Sequence, residues 1–186
     1  MNTDTRATIR AVAMELFSAR GYEQTSLREI AERVGLTKAS LYYHYPSKQA
    51  LLLDLIQPLV ERWRAIASHT ESLPHTPDDV RAVLARCLDV LLDNRAAAGL
   101  FVRDTAAVVA AIAPIWEELL ELNGRLHRWL AGPEPTVAAT IRAIAALEVL
   151  GAALSATAYL SEVGEEELRA TLLEAAGAVL VLPSAG

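Results

Sequence analysis

Residues 36–51 read LTKASLYYHYPSKQAL. Thr37 has the form of a helix N-cap, and Leu36 and Leu41 are spaced to close a hydrophobic staple across it. Pro46 stops the helix and Ser47 caps the next one. A short helix starting at Lys38 lies between those signals. Leu41 and Tyr45, four apart, share its inner face. Lys38, Ala39, Tyr42 and Tyr43 point elsewhere, with His44 at the helix end. A face that joins a cation to several hydroxyl-bearing rings is hard to explain as core, and it suits a DNA major groove. Lys38 reaches a base edge or a phosphate. Ala39 is small enough for close backbone approach to a thymine methyl. Tyr42 and Tyr43 offer flat rings with a hydroxyl for phosphate.

The preceding stretch supplies the rest of a helix-turn-helix. Leu27, Ile30, Ala31 and Val34 fall at offsets 0, 3, 4 and 7, one helical face. Ser26-Leu27-Arg28-Glu29 has the capping-box form, and Gly35 ends that helix after about two and a half turns. Before it, Ile9, Val12, Ala13, Leu16 and Phe17 repeat the helical spacing, and Gly21 is placed as a left-handed cap. Two short helices joined by a turn around a glycine have the helix-turn-helix form. Thr25, Ser26, Ser47 and Lys48 lie at the starts of the second and fourth helices, where free N–H groups and the helix dipole favour anions. Thr25, Ser26, Thr37 and Ser47 also cap helices in any protein. Arg28 has an ordinary partner in Glu32 at i+4.

The charge distribution agrees with this reading. The chain of 186 residues carries 17 Lys and Arg against 23 Asp and Glu, a net charge of −6. Residues 1–50 hold 7 basic and 5 acidic side chains, a local +2, so the deficit lies wholly in the remainder. Four of the five tyrosines fall between positions 22 and 45. An acidic chain that is locally basic and aromatic can meet a polyanion at one end.

With 53% hydrophobic residues and 22% charged ones, extensive disorder is not expected. The 9 glycines and 8 prolines disfavour a loop-rich all-β fold. The single cysteine, Cys87, has no internal disulfide partner and sits in a leucine-rich helix as an inert thiol. The start of the chain is polar and lacks a signal pattern, and no uncharged run approaches the ~20 residues of a membrane span. A cytoplasmic protein that meets no membrane is expected. No metal-type histidine spacing is present, nor HExxH, GxSxG, a P-loop or a dinucleotide fingerprint, so neither an enzyme nor a cofactor is expected.

Beyond the short helices the chain reads as helical throughout. A long helix runs from Lys48 to about His69, with a kink expected at Pro58. Further helices are expected near 78–93, 96–112, 114–130, 137–161 and 165–182. The helix at 137–161 is dense in alanine, and that at 165–182 places Leu168, Leu172, Ala175, Val179 and Leu182 on one face. Such faces bury either within one chain or against a second copy in a four-helix bundle.

Residues 9–55 resemble the DNA-binding domain of the tetracycline-repressor (TetR) family. The matching residues are Phe17, Gly21-Tyr22, Thr25-Ser26, Ile30-Ala31, Val34-Gly35, Lys38, Leu41-Tyr42-Tyr43-His44-Tyr45 and Ser47-Lys48. Tyr45 stands where the family more usually has Phe, and Ala39 where Gly is common. The resemblance implies an all-α fold: an N-terminal three-helix DNA-binding domain, residues 1–47, joined by a long helix to a helical ligand-binding and dimerisation domain, residues 48–186. It also implies a sequence-specific transcriptional regulator, a repressor released from a palindromic double-stranded operator by a small-molecule effector. Homodimerisation is implied through the helices at about 137–161 and 165–182. The DNA contacts it implies are Thr25, Ser26, Arg28, Thr37, Lys38, Ser40, Tyr42, Tyr43, His44 and Lys48, beside Ala39 from the groove argument. Trp63, Phe101, Arg103, Asp104, Trp116, His127 and Tyr159 are candidates to line the effector pocket, each also explicable as a core aromatic or a solvated charge. The alternative reading is a helical adaptor or ligand-binding module without ligand-controlled DNA release.

Overall fold

The structure is a computed structural model that describes residues 2–154 and 164–181. It is all-α among those residues. The helices are α1 Asn2–Arg20, α2 Leu27–Val34, α3 Lys38–His44, α4 Lys48–Thr70, α5 Pro77–Asp93, α6 Arg95–Arg103, α7 Thr105–Ala111, α8 Ala113–Leu130, α9 Val137–Gly151 and α10 Glu165–Val181. Two compact units divide them: Met1–Pro58 with Ala96–Glu117, and Leu59–Arg95 with Glu118–Gly186.

In the first unit, the apolar faces read from the sequence form the core. Ile9, Ala13 and Phe17 of α1, Ile30 of α2, Leu41 of α3 and Leu51, Leu52 and Ile56 of α4 are fully buried. Each of the larger side chains contributes about 1.5–3 kcal/mol. The punctuation is as expected. Gly21 (φ 96°) and Gly35 (φ 77°) take the left-handed conformation in which a side chain is strained. Ser26 and Glu29 form a reciprocal capping box, Thr37 accepts from the Ser40 N–H, and Ser47 from the Ala50 N–H.

The compact units part inside α4, after Pro58, and Leu51, Leu52 and Leu55 of α4 are buried in the first of them. One expectation needs correction. The single helix expected over 96–112 is two, α6 and α7, parted at Asp104 (φ −125°, ψ 44°). The Asp104 carboxylate is drawn out of the helix to accept the backbone N–H of Tyr22. Within the helix expected over 137–161, α9 runs to Gly151, Ala152 keeps helical dihedrals (φ −59°, ψ −21°), and Ala153 and Leu154 are helical again; positions 155–161 and Leu182 lie outside the described residues. At Pro58, α4 runs on unbroken as helix to Thr70.

In the second unit, α9 packs on both α5 and α10. Close approach is possible because Ala143 and Ala146 of α9 and Ala176 of α10 meet that core fully buried. Leu168 and Leu172 are also buried within the chain, so part of the α10 face read as an intersubunit surface is used internally. Arg169 of α10 holds Asp89 of α5 with two hydrogen bonds of 3.0 and 3.3 Å. Cys87 is buried in this core, and desolvation pushes its thiol up to about 12, so it stays neutral and inert.

Candidate nucleic-acid interface

Helix α3 presents two faces of opposite character. Leu41 and the ring of Tyr45 are buried, whereas Lys38, Ala39, Tyr42 and Tyr43 are exposed, Tyr43 to 81%. The Lys38 ammonium lies 5.6 Å from the centre of the Tyr42 ring and has no ion pair among the described residues. Tyr43 meets His44 edge to face at 5.5 Å. No side chain among the described residues hydrogen-bonds the Tyr42 and Tyr43 hydroxyls. A helix two turns long therefore offers one cation, two phenols and a methyl side chain to solvent. Leaving two large rings uncovered costs burial that a structural role would not forgo.

The hydroxyls of Thr37 and Ser40 hydrogen-bond each other at 3.0 Å beside the helix N-terminus. Ser26 and Arg28 are exposed on α2. Ser26 is engaged in its capping box: its N–H donates to Glu29, and this bond is the main cause holding the Glu29 carboxyl below its ordinary range. Arg28 pairs with Glu32 at 2.8 Å, as its spacing implied.

Two of the expected DNA contacts are committed elsewhere. The Thr25 hydroxyl is buried (the residue is 2% exposed) and donates to the Gly21 carbonyl at 2.8 Å. The Lys48 ammonium donates to the carbonyls of Tyr22 (2.8 Å), Glu23 (3.1 Å) and Thr25 (2.9 Å), and lies 4.4 Å from the Tyr22 ring centre. An ammonium has three donors, and all are used. Partial burial lowers its pKa. Both side chains fix the turn that leads into α2.

The sequence reading missed what the Tyr45 hydroxyl does. It donates to Asp54 at 2.5 Å and accepts from Arg6 Nε at 3.4 Å. Arg10 also approaches Asp54, at 3.8 Å. The end of α3 is thereby tied to α1 and α4. An aspartate inside the apolar run Leu51–Ile56 was the available signal.

Five of the seven pocket candidates are divided between the two units. Phe101, Asp104 and Trp116 belong to the first unit, and Trp63 and His127 to the second. Asp104 packs against Gly21 and holds the Tyr22 N–H, a structural contact. Trp116 is exposed, and Trp63 donates its indole N–H to Asn123 at 3.1 Å. The side chain of Arg103 and all of Tyr159 lie outside the described residues. A cleft of ≈ 440 Å³ opens in the second unit between the start of α5, the end of α8, α9 and α10, and none of the seven lines it.

No helix among the described residues is long and apolar enough to cross a membrane. The family model described as bacterial regulatory proteins, tetR family, matches residues 9–55. The HTH-type transcriptional regulator EthR of Mycolicibacterium smegmatis is 24% identical over 73% of this chain and 60% of its own length. The tetracycline repressor protein class C of Escherichia coli is 34% identical over 45% of this chain and 36% of its own length. The chain thus spans less than two thirds of the length of these curated relatives. The crystal structure of Mycobacterium smegmatis AmtR superposes with a TM-score of 0.77 at 23% identity, covering 95% of this chain and 86% of that one, a likeness of fold. The helix-turn-helix thus lies inside the segment that matches the tetR family model, and the fold along the chain is similar to that of AmtR.

Proposed function

We propose that this chain is a sequence-specific DNA-binding repressor of cytoplasmic location, released from a palindromic operator by a small-molecule effector. The observation that carries the reading is the outer face of α3. Lys38, Ala39, Tyr42 and Tyr43 are exposed together while Leu41 and Tyr45 anchor the helix from behind. Lys38 and the two tyrosines would meet bases and phosphates in the major groove, with Ala39 against a base edge. Thr37, Ser40, Ser26, Arg28 and His44 would flank them on the backbone.

Two copies would place their α3 helices in successive major grooves, about 34–36 Å apart. The exposed apolar residues Val137, Ile141 and Ile144 on one face of α9 support pairing of copies there. Effector binding would act through α4, a continuous helix whose residues belong to both units. A state with the wrong spacing of recognition helices binds the operator weakly, and an effector preferring it by ~1–3 kcal/mol suffices for regulation.

Footprinting on the DNA upstream of the protein's own gene tests this. The expected result is a protected palindrome whose half-sites lie one helical turn apart. Uniform weak protection with no preferred site would contradict the proposal and favour a helical adaptor instead.

A further inference from the structure

The cleft of ≈ 440 Å³ in the second unit lies within the size range of small-molecule sites and is built from this unit alone. Its wall is apolar, with Val80, Leu84, Leu130, Leu173 and Leu180 among its residues. Two guanidiniums border it, and they are in different states. Arg81 is paired with Asp78 one turn back. Arg142 of α9 is half-buried and has neither a hydrogen bond nor an ion pair among the described residues. A guanidinium partly withdrawn from water against a hydrocarbon wall lacks the partner that such a group ordinarily has.

Gly177 points the same way. It sits in the interior of α10, where glycine is less stable than alanine, and it has no positive φ to require it. A Cβ built there meets nothing within 4 Å, and the residue lines the cleft. A side chain there would enter the cleft. Arg142 lies more than a quarter of a turn round α9 from each of the exposed residues Val137, Ile141 and Ile144.

We propose that this cleft binds a single-chain amphiphile with an anionic head, its tail along the leucines and its head on Arg142. The carboxylate of Glu174, exposed at the cleft edge, disfavours a head carrying more than one negative charge. This names the chemical class of the effector proposed above and rests on that reading only for its regulatory consequence.

Calorimetric titration of the full chain tests the site, with decanoate as probe and decanol as its uncharged control. Decanoate is expected to bind with one site per chain, at least tenfold tighter than decanol, and Arg142→Gln is expected to weaken decanoate roughly tenfold or more while leaving decanol unchanged. Gly177→Phe, whose Cβ meets nothing within 4 Å, is expected to abolish binding of both at unchanged helix content by circular dichroism, with Gly177→Leu as a smaller second variant. Equal affinity for the two probes, or decanoate binding that survives Gly177→Phe or is unmoved by Arg142→Gln, would overturn the proposal. Binding that behaves as expected without any change in operator affinity leaves the site standing and defeats ligand-controlled release.

Discussion

Position 45 shows how one atom alters a contact whose shape was foreseeable. A phenyl ring there would fill the same space behind α3. The hydroxyl adds a hydrogen bond to Asp54, which Arg6 and Arg10 also approach. Burial first, and then this bond, raise the Tyr45 pKa, so the phenol stays protonated and able to donate. Tyr45→Phe is expected to lower stability by about 1–2 kcal/mol in urea denaturation, at unchanged secondary structure. The ring was legible in the sequence because i, i+4 spacing fixed its face; its hydroxyl partner was not, since Asp54 comes from another helix. Lys48 and Thr25 illustrate the same limit. Their types suit phosphate contact and their position at helix starts agrees, but only the fold reveals the backbone carbonyls that already engage them.

His127 carries a pH dependence. Burial lowers its pKa below 6.5, with Glu148 opposing the shift more weakly. The unfolded chain therefore takes up a proton near pH 6.5 that the folded chain resists, and stability falls as pH drops through that value. His127→Gln is expected to flatten the melting temperature between about pH 7 and 5 relative to the native chain. An equal slope in both would refute the assignment.

Among elements, the short helices were the most legible. Each of α2 and α3 is bounded by a cap and a stop that act within four residues, so local sequence suffices. The break between α6 and α7 was not, because its cause is a contact 82 residues distant, from the Asp104 carboxylate to the Tyr22 N–H. Gly21 makes that approach possible: a Cβ there would collide with the carboxylate. Gln49 adds a second link, donating to the Ala111 carbonyl at 2.8 Å. Asp104→Ala is expected to cost about 1–3 kcal/mol, because it leaves the Tyr22 N–H without its acceptor. Gly21→Ala is expected to be at least as damaging, since the left-handed backbone and the carboxylate both oppose a side chain. Chemical denaturation of the two variants checks both.

For the whole molecule, charge and apolar exposure divide the labour proposed for it. The basic excess lies in the first fifty residues, and the acidic remainder has no reason to bind a polyanion. On α9, Val137 is 79% exposed and Ile141 60%. Ile141→Glu is expected to shift sedimentation from dimer towards monomer and to weaken operator binding with it, since two half-sites need two copies. An unchanged mass would place the pairing surface elsewhere. That α9 and α10 are packing helices was evident from their small residues; which faces they use internally was not, because both an intrachain and an intersubunit partner satisfy the same pattern.

The proposal that α3 reads DNA is tested most directly by fluorescence anisotropy on the footprinted duplex, comparing the native chain with Lys38→Ala/Tyr43→Ala across a range of salt concentrations. Both side chains are exposed, so the melting temperature should not move. Affinity should fall by about 30-fold or more, and without the Lys38 ammonium on a phosphate the salt slope should shrink by about one. A double variant that binds the same duplex with unaltered affinity and slope would show that this helix does not face the DNA.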